Sequence, residues 1–146
     1  MAVEVTADTR EVVAMAHGMR DRVVDMRPVW PRVANWLAGQ HRQAFRAGGR
    51  NLPHPWRPLA QSTVERKRRD NLPADILVRR GQLMRSVTTR RDRRHVERMT
   101  PTELVFGTRA PVAALSRHQG RDPVQVPADI TPIADMILDH IMGGGR

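Results

Sequence analysis

The apolar residues of this chain change their period along its length, and that change limits the fold more than any other feature. Near both ends they recur every three or four positions, the period of a helix with one buried face. Between them the period falls to two, that of a strand. Val12, Ala16, Met19, Val23 and Met26 mark an amphipathic helix over residues 9–27. Val29, Val33, Trp36, Leu37, Ala44 and Phe45 mark a second over 29–47, stopped by Gly48-Gly49. Pro28 and Pro31 lie at the junction, which predicts a helical hairpin or one kinked helix. Over 85–107, Val87 and Thr89, Val96 and Arg98, and Leu104 and Phe106 follow period two, with turn signals near Asp92 and at Thr100-Pro101-Thr102. That predicts a small antiparallel β-meander of about three strands. Ile130, Ile133, Ala134, Ile137, Leu138 and Ile141 form the apolar stripe of a closing helix, started by Thr131-Pro132 and stopped by Gly143-Gly144-Gly145. The expected fold is α+β: an N-terminal helix pair, a small meander, and a C-terminal helix packed on the sheet.

The connections are shorter in signal. Residues 48–60 are rich in Gly and Pro, with Trp56 and Leu59 set inside as apolar plugs for the core. Ser62 and Glu65 have capping-box spacing for a short helix over 62–69, whose run Arg66-Lys67-Arg68-Arg69 is expected in solvent. Pro111–His118 reads as another short helix and Pro123–Pro127 as extended chain. At 146 residues the chain fits one domain, 1–146, with 1–8 and 143–146 as flexible tails. A chain of this size buries about two-thirds of its unfolded surface.

Composition removes whole classes of function. There is no cysteine, hence no disulfide, thiolate nucleophile or Cys-based metal site. No run of about 18 apolar residues exists to span a membrane as a helix, and no membrane partner is expected. Met1-Ala2-Val3-Glu4-Val5 has neither the basic start nor the apolar stretch of a secretory leader. The mean hydropathy is −0.52, that of a globular chain. Lys and Arg total 25 against 15 Asp and Glu, a net charge of +10, and Lys67 is the only lysine. Codon bias in a GC-rich genome accounts for such arginine excess. The charge still draws anionic partners at long range: DNA, a membrane surface or an acidic protein face. Aromatic residues make up 3%, too few for the stacking platforms of single-strand binders.

Catalytic constellations are missing from the sequence. Six histidines occur, none paired with another at i,i+4, and there is no His-Glu-x-x-His. Asp139-His140 reads as a solvated helix end before it reads as part of a metal site. Ser116 and His118 share a segment without the strained elbow that a serine nucleophile needs. Gly48-Gly49-Arg50 is too short to cradle phosphate and reads as a helix stop. Asp70, Asp75 and Asp92 stand among basic residues, where salt bridges explain them. The basic clusters at 66–69, Arg79-Arg80 and Arg90-Arg91-Asp92-Arg93-Arg94 are either solvated faces or contacts to DNA backbone or acidic protein, since arginine forks suit phosphate and carboxylate alike. No helix-turn-helix pattern picks out base reading. Met15, Met19, Met26, Trp30 and Trp36 read as core before ligand pocket.

One set of motifs is familiar. Trp56-Arg57-Pro58-Leu59 is followed by Ser62-Thr63, by Lys67, and by Leu77-Val78-Arg79-Arg80-Gly81-Gln82-Leu83-Met84-Arg85-Ser86. Downstream stand His118-Gln119-Gly120 and Pro127-Ala128, then the closing helix. The order and spacing of Trp56, Pro58, Leu59, Thr63, Lys67, Leu77, Gly81, Leu83, Ser86, His118, Gln119 and Gly120 resemble the phage virion morphogenesis family, the Mu-like and tail-completion proteins of tailed bacteriophages. The likeness runs over roughly residues 29–140. Two places depart from it: Val112-Ala113-Ala114 stands where the family often has Tyr-Ala, and Asp129-Ile130-Thr131 where it often has Arg-Pro-Phe.

The resemblance implies a non-enzymatic virion protein that needs no cofactor and sits in the neck or at the tail end, after assembly in the host cytoplasm. It implies a homo-oligomeric ring, sixfold in expectation, that meets other neck, connector or tail-tube proteins. Arg79, Arg80, Arg90, Arg91, Arg93 and Arg94 are the candidates to face passing genomic DNA or a partner, without sequence reading. Met15, Met19, Trp56 and Leu59 are the candidate subunit contacts. The alternative function is a free, sequence-independent DNA-binding protein.

Overall fold

The computed structural model describes residues 9–144. Its elements run α1 (Arg10–Val24), α2 (Trp30–Arg46), α3 (Gln61–Arg69), α4 (Gln82–Thr88), β1 (His95–Met99), β2 (Leu104–Thr108), α5 (Pro111–His118) and α6 (Thr131–Met142). The class is α+β. The expected tail at 1–8 lies outside the described residues.

α2 is the axis of the molecule. Pro31 sits in its first turn, where a missing N–H costs nothing. Trp30, Val33, Ala34, Ala38, His41, Ala44 and Phe45 are buried along one face, three and four residues apart. Trp36 and Leu37, expected on that face, are half-buried at its edge. Two apolar clusters lie at opposite ends of the helix. At its start, Met26, Val29, Trp30 and Val33 gather Leu37, Met99, Leu104, Ile133, Met136 and Ile137. At its end, Phe45 and Trp56 meet edge to face, ring centroids 5.0 Å apart, and join Leu83, Val87, Ala110 and Ala113. The helix stops because Gly48 and Gly49 take left-handed φ values of 62° and 74°. Gly49 N–H returns to Ala44 O at 2.8 Å. Gly49 is also required by space: a Cβ there would overlap the Trp56 indole.

α1 and α2 are separate helices joined by a tight turn, the hairpin alternative of the sequence reading. Met26 N–H in that turn donates to Pro101 O at 2.8 Å, and Trp30 Nε1–H to Thr100 O at 2.8 Å. These bonds fasten the helix junction to the strand loop. α6 lies along α1 and α2 and reaches the sheet through the cluster it shares with Met99 and Leu104. Gly143 caps it at φ 81°, and Gly144 N–H returns to Asp139 O at 2.8 Å. So the expected C-terminal tail begins as a helix cap.

The meander has two strands among the described residues, not three. β1 and β2 pair antiparallel in register His95↔Thr108 to Met99↔Leu104. The expected first strand, around Val87 and Thr89, is helix α4. Gly81 at φ 72° turns the chain into it, and Leu83, Ser86 and Val87 share its buried face at helical spacing. A two-residue alternation did not outweigh that packing. The capping box fails as well. α3 begins one residue earlier with Ala60 as its cap, so Ser62 lies inside the helix without a capping role, and Gln61 Nε2 donates to Glu65 Oε1 at 3.1 Å.

Candidate functional site

Residues 54–58, just before α3, are zipped to residues 120–125, mainly through backbone carbonyls. Trp56 Nε1–H donates to Asp122 O at 2.7 Å. Arg121 reaches back to Arg57 O at 2.6 Å and Pro58 O at 2.8 Å, while Arg57 N–H donates to Gly120 O at 3.3 Å. Gln125 and His54 exchange two bonds of 2.9 and 3.0 Å. Gly120, at φ 73°, makes the turn that allows this approach.

In front of this zipper lies an open groove of about 740 Å³. Leu59, Leu77, Leu83 and Val112 supply its apolar wall, and Arg66, Lys67, Arg79, Arg80 and Arg121 its cations. No carboxylate lines it. Leu77 holds an unusual left-handed φ of 60°. The clamp on that strained loop is Lys67: its Nζ donates to Asp75 O at 2.6 Å and Val78 O at 2.8 Å. Burial pushes the Lys67 ammonium below its usual range, and the nearby Asp75 carboxylate offsets part of this. Lys67 is thus half-buried scaffold, unlike the solvated run expected over 66–69.

The motif residues gather here. Leu59, Thr63, Lys67, Leu77, Leu83 and Gln119 line the groove. Trp56 packs behind it and the Pro58 carbonyl anchors Arg121. Gly81 opens α4, and buried Ser86 donates to Leu83 O at 2.7 Å. His118 is exposed at the end of α5.

The other basic candidates sit apart, on the turn before β1. Arg90 holds Glu97 through two hydrogen bonds and is occupied by that pair. Arg94 is half-buried, its N–H donating to Asp92 Oδ1 at 2.8 Å. Arg91 and Arg93 are exposed. Of the candidate subunit contacts, Met15 is 55% exposed, Met19 half-buried and Leu59 on the groove wall. Trp56 is 4% exposed and spent on the chain's own core, so it has almost no surface to offer a neighbour. Sequence reasoning missed most of the exposed apolar surface: Val13 and Val24 on α1, Val112 and Leu115 on α5, and Met142 on α6.

The interior polar groups serve the fold. His41 accepts Gln125 N–H at Nε2 (3.3 Å) and donates from Nδ1 to Leu37 O (2.7 Å), and burial lowers its pKa. His95 is bonded to Ser86 O at 3.0 Å. Ser116 Oγ donates to Val112 O at 2.8 Å, not to His118. Among the described residues no group of three His, Asp or Glu is placed to hold a metal ion, and no helix is long and apolar enough to cross a membrane.

No curated protein and no solved structure matches the chain. Its residues 7–133, however, match the phage virion morphogenesis family. That span takes in α1–α5, the start of α6 and all twelve motif positions. By this match over most of its length the chain belongs to the phage virion morphogenesis family, a family of structural and assembly proteins of the virion.

Proposed function

We propose that the protein is a ring-forming component of the phage neck or tail end, which joins or closes the tail at the head–tail interface. The observation that carries this reading, beside family membership, is the apolar surface left in water on the two terminal helices. Val12, Val23 and Val24 on α1 are 58%, 50% and 60% exposed, and Leu138 and Met142 on α6 are 57% and 63% exposed. Neither helix has a fully buried residue. Large apolar side chains in water on two helices that bury no residue of their own suit a surface that another protein covers. Copies of the same chain, with connector or tail-tube proteins above and below, would cover it. Arg91 and Arg93 would then be free to meet passing DNA through its backbone.

Sedimentation velocity and electron microscopy of the purified chain test the reading. A closed ring, and localisation of the chain to the neck or tail end of intact particles, are the expected results. A monomer at every concentration, combined with tight duplex binding that weakens steeply as salt rises, would instead support the free DNA-binding alternative.

A further inference from the structure

We propose that the ring is closed by a head-to-tail contact in which the outer face of α6 of one copy docks in the basic groove of the next. The inference rests on the ring reading and says which surfaces make the ring.

The two surfaces complement each other in charge and in apolar character. On the groove side, Arg66, Arg79 and Arg80 are exposed and make no ion pair among the described residues, around a wall of Leu59, Leu77 and Val112. On the α6 side, Leu138 and Met142, four residues apart on one face, are 57% and 63% exposed, and Ile130, the residue that caps the helix, is 53% exposed. Asp135 is exposed beside them, and so is Asp129, whose Oδ1 accepts Thr131 N–H at 2.9 Å and which makes no ion pair among the described residues, whereas Asp139 is paired with Arg32 at 3.0 Å. An apolar wall rimmed by arginine fits an apolar helix face flanked by carboxylates. A DNA backbone would leave that wall unused.

The placement also suits a ring. α6 packs at the start of α2, and the groove abuts the cluster at the end of α2. The 17 residues of α2 separate them by about 25 Å. Two different patches at opposite ends give a heterologous contact, which propagates and closes if the rotation permits. A contact between two α6 faces would stop at a dimer. A helix is about 10–12 Å across, so the cavity receives side chains from one face of α6 rather than the whole helix.

The test is a charge exchange read by sedimentation velocity. Arg79→Glu with Arg80→Glu, and separately Asp129→Arg with Asp135→Arg, are each expected to weaken assembly about tenfold or more. The chain carrying all four substitutions is expected to regain it. All four positions are exposed, and circular dichroism checks that each variant folds. Because the chain lacks cysteine, Leu138→Cys combined with Val112→Cys gives a second readout: a covalent ladder extending past the dimer under mild oxidation. If rings persist unchanged in both charge-reversed chains, or the four-fold chain fails to regain assembly, or the ladder stops at a dimer, the α6–groove contact is wrong while the ring reading stands. If the unaltered chain never assembles, both fall. Loss of duplex DNA binding in the Arg79→Glu, Arg80→Glu chain with assembly intact would make the groove a nucleic-acid face and overturn the contact.

Discussion

Replacing Lys67 by methionine removes one ammonium and leaves two backbone carbonyls without their donor. The bond to Val78 O, at 2.8 Å, is part-buried, and hydrogen bonds to a charged group contribute about 1.5–3 kcal/mol net. The bond to Asp75 O is on the exposed side, where water replaces the ammonium, so its share is about 0.5 kcal/mol. Methionine keeps the apolar stem, which limits the packing loss. The expected destabilisation is about 2–3 kcal/mol, a fall of roughly 1–2 M in the urea midpoint for a chain of this size. The effect should begin locally. Leu77 is held in a left-handed conformation between the two clamped carbonyls, so amides 76–80 should exchange faster than those of α2 before the midpoint moves. Lys67→Arg should recover only part of the loss, because a planar fork does not place one cation between two carbonyls. A Lys67→Met midpoint within about 0.3 M of the parent, with slow exchange at 76–80, would show that the clamp does not shape the groove.

Gly49→Ala should cost about 2–4 kcal/mol in urea unfolding, since the new methyl meets the Trp56 ring at a left-handed position; a cost under about 1 kcal/mol would refute the fit. Stability should fall as pH drops below about 6.5, because the unfolded chain takes up a proton at His41 that the buried ring refuses. His41→Asn should remove that part of the slope, and an unchanged slope would place its origin elsewhere. Ile137→Asp faces the cluster at the start of α2 and should cost about 2–3 kcal/mol. Leu138→Asp, one residue on and 57% exposed, should leave thermal unfolding within about 0.5 kcal/mol while reducing assembly. Equal losses from the two would mean the faces of α6 are not distinct.

The helices and the hairpin were legible where periodicity ran long enough to average out accidents. α2 shows its face over 17 residues, and β1 and β2 flank a turn that Thr100 builds by accepting Glu103 N–H at 3.0 Å. α4 was misread because Val87 and Thr89 offer only two points of alternation, while Leu83 and Val87 already carried helical spacing. The groove was legible only as scattered motif residues. What joins them is backbone carbonyls meeting Trp56 and Arg121 across more than sixty positions of chain, and carbonyls leave no trace in residue type. Lys67 looked like one more cation in a run. Its hints were its place among the family-motif positions and its being the only lysine in an arginine-rich chain.

α6 shows why an apolar stripe can mislead about burial yet inform about assembly. Its stripe is wider than one core contact needs: Ile133, Met136 and Ile137 enter the cluster with α2, and Ile130 and Leu138 remain outside. α1 is bound to α6 rather than to the core, through Arg22 Nε–H to Ile141 O at 2.7 Å and His140 Nε2 against Arg22 O and Asp25 O at 3.1 and 3.0 Å. These two helices therefore rest on half-buried contacts, and hydrogen exchange should find them the least protected part of an isolated protomer. On the ring reading, a neighbour seated on α6 covers the missing side and stabilises α1 along with it. Protection of α1, α6 and the groove-lining segment 76–80 should then rise with protein concentration, while the middle of α2 around buried Ala38 stays constant. Protection that rises uniformly, or not at all, would break the link between the terminal helices and assembly.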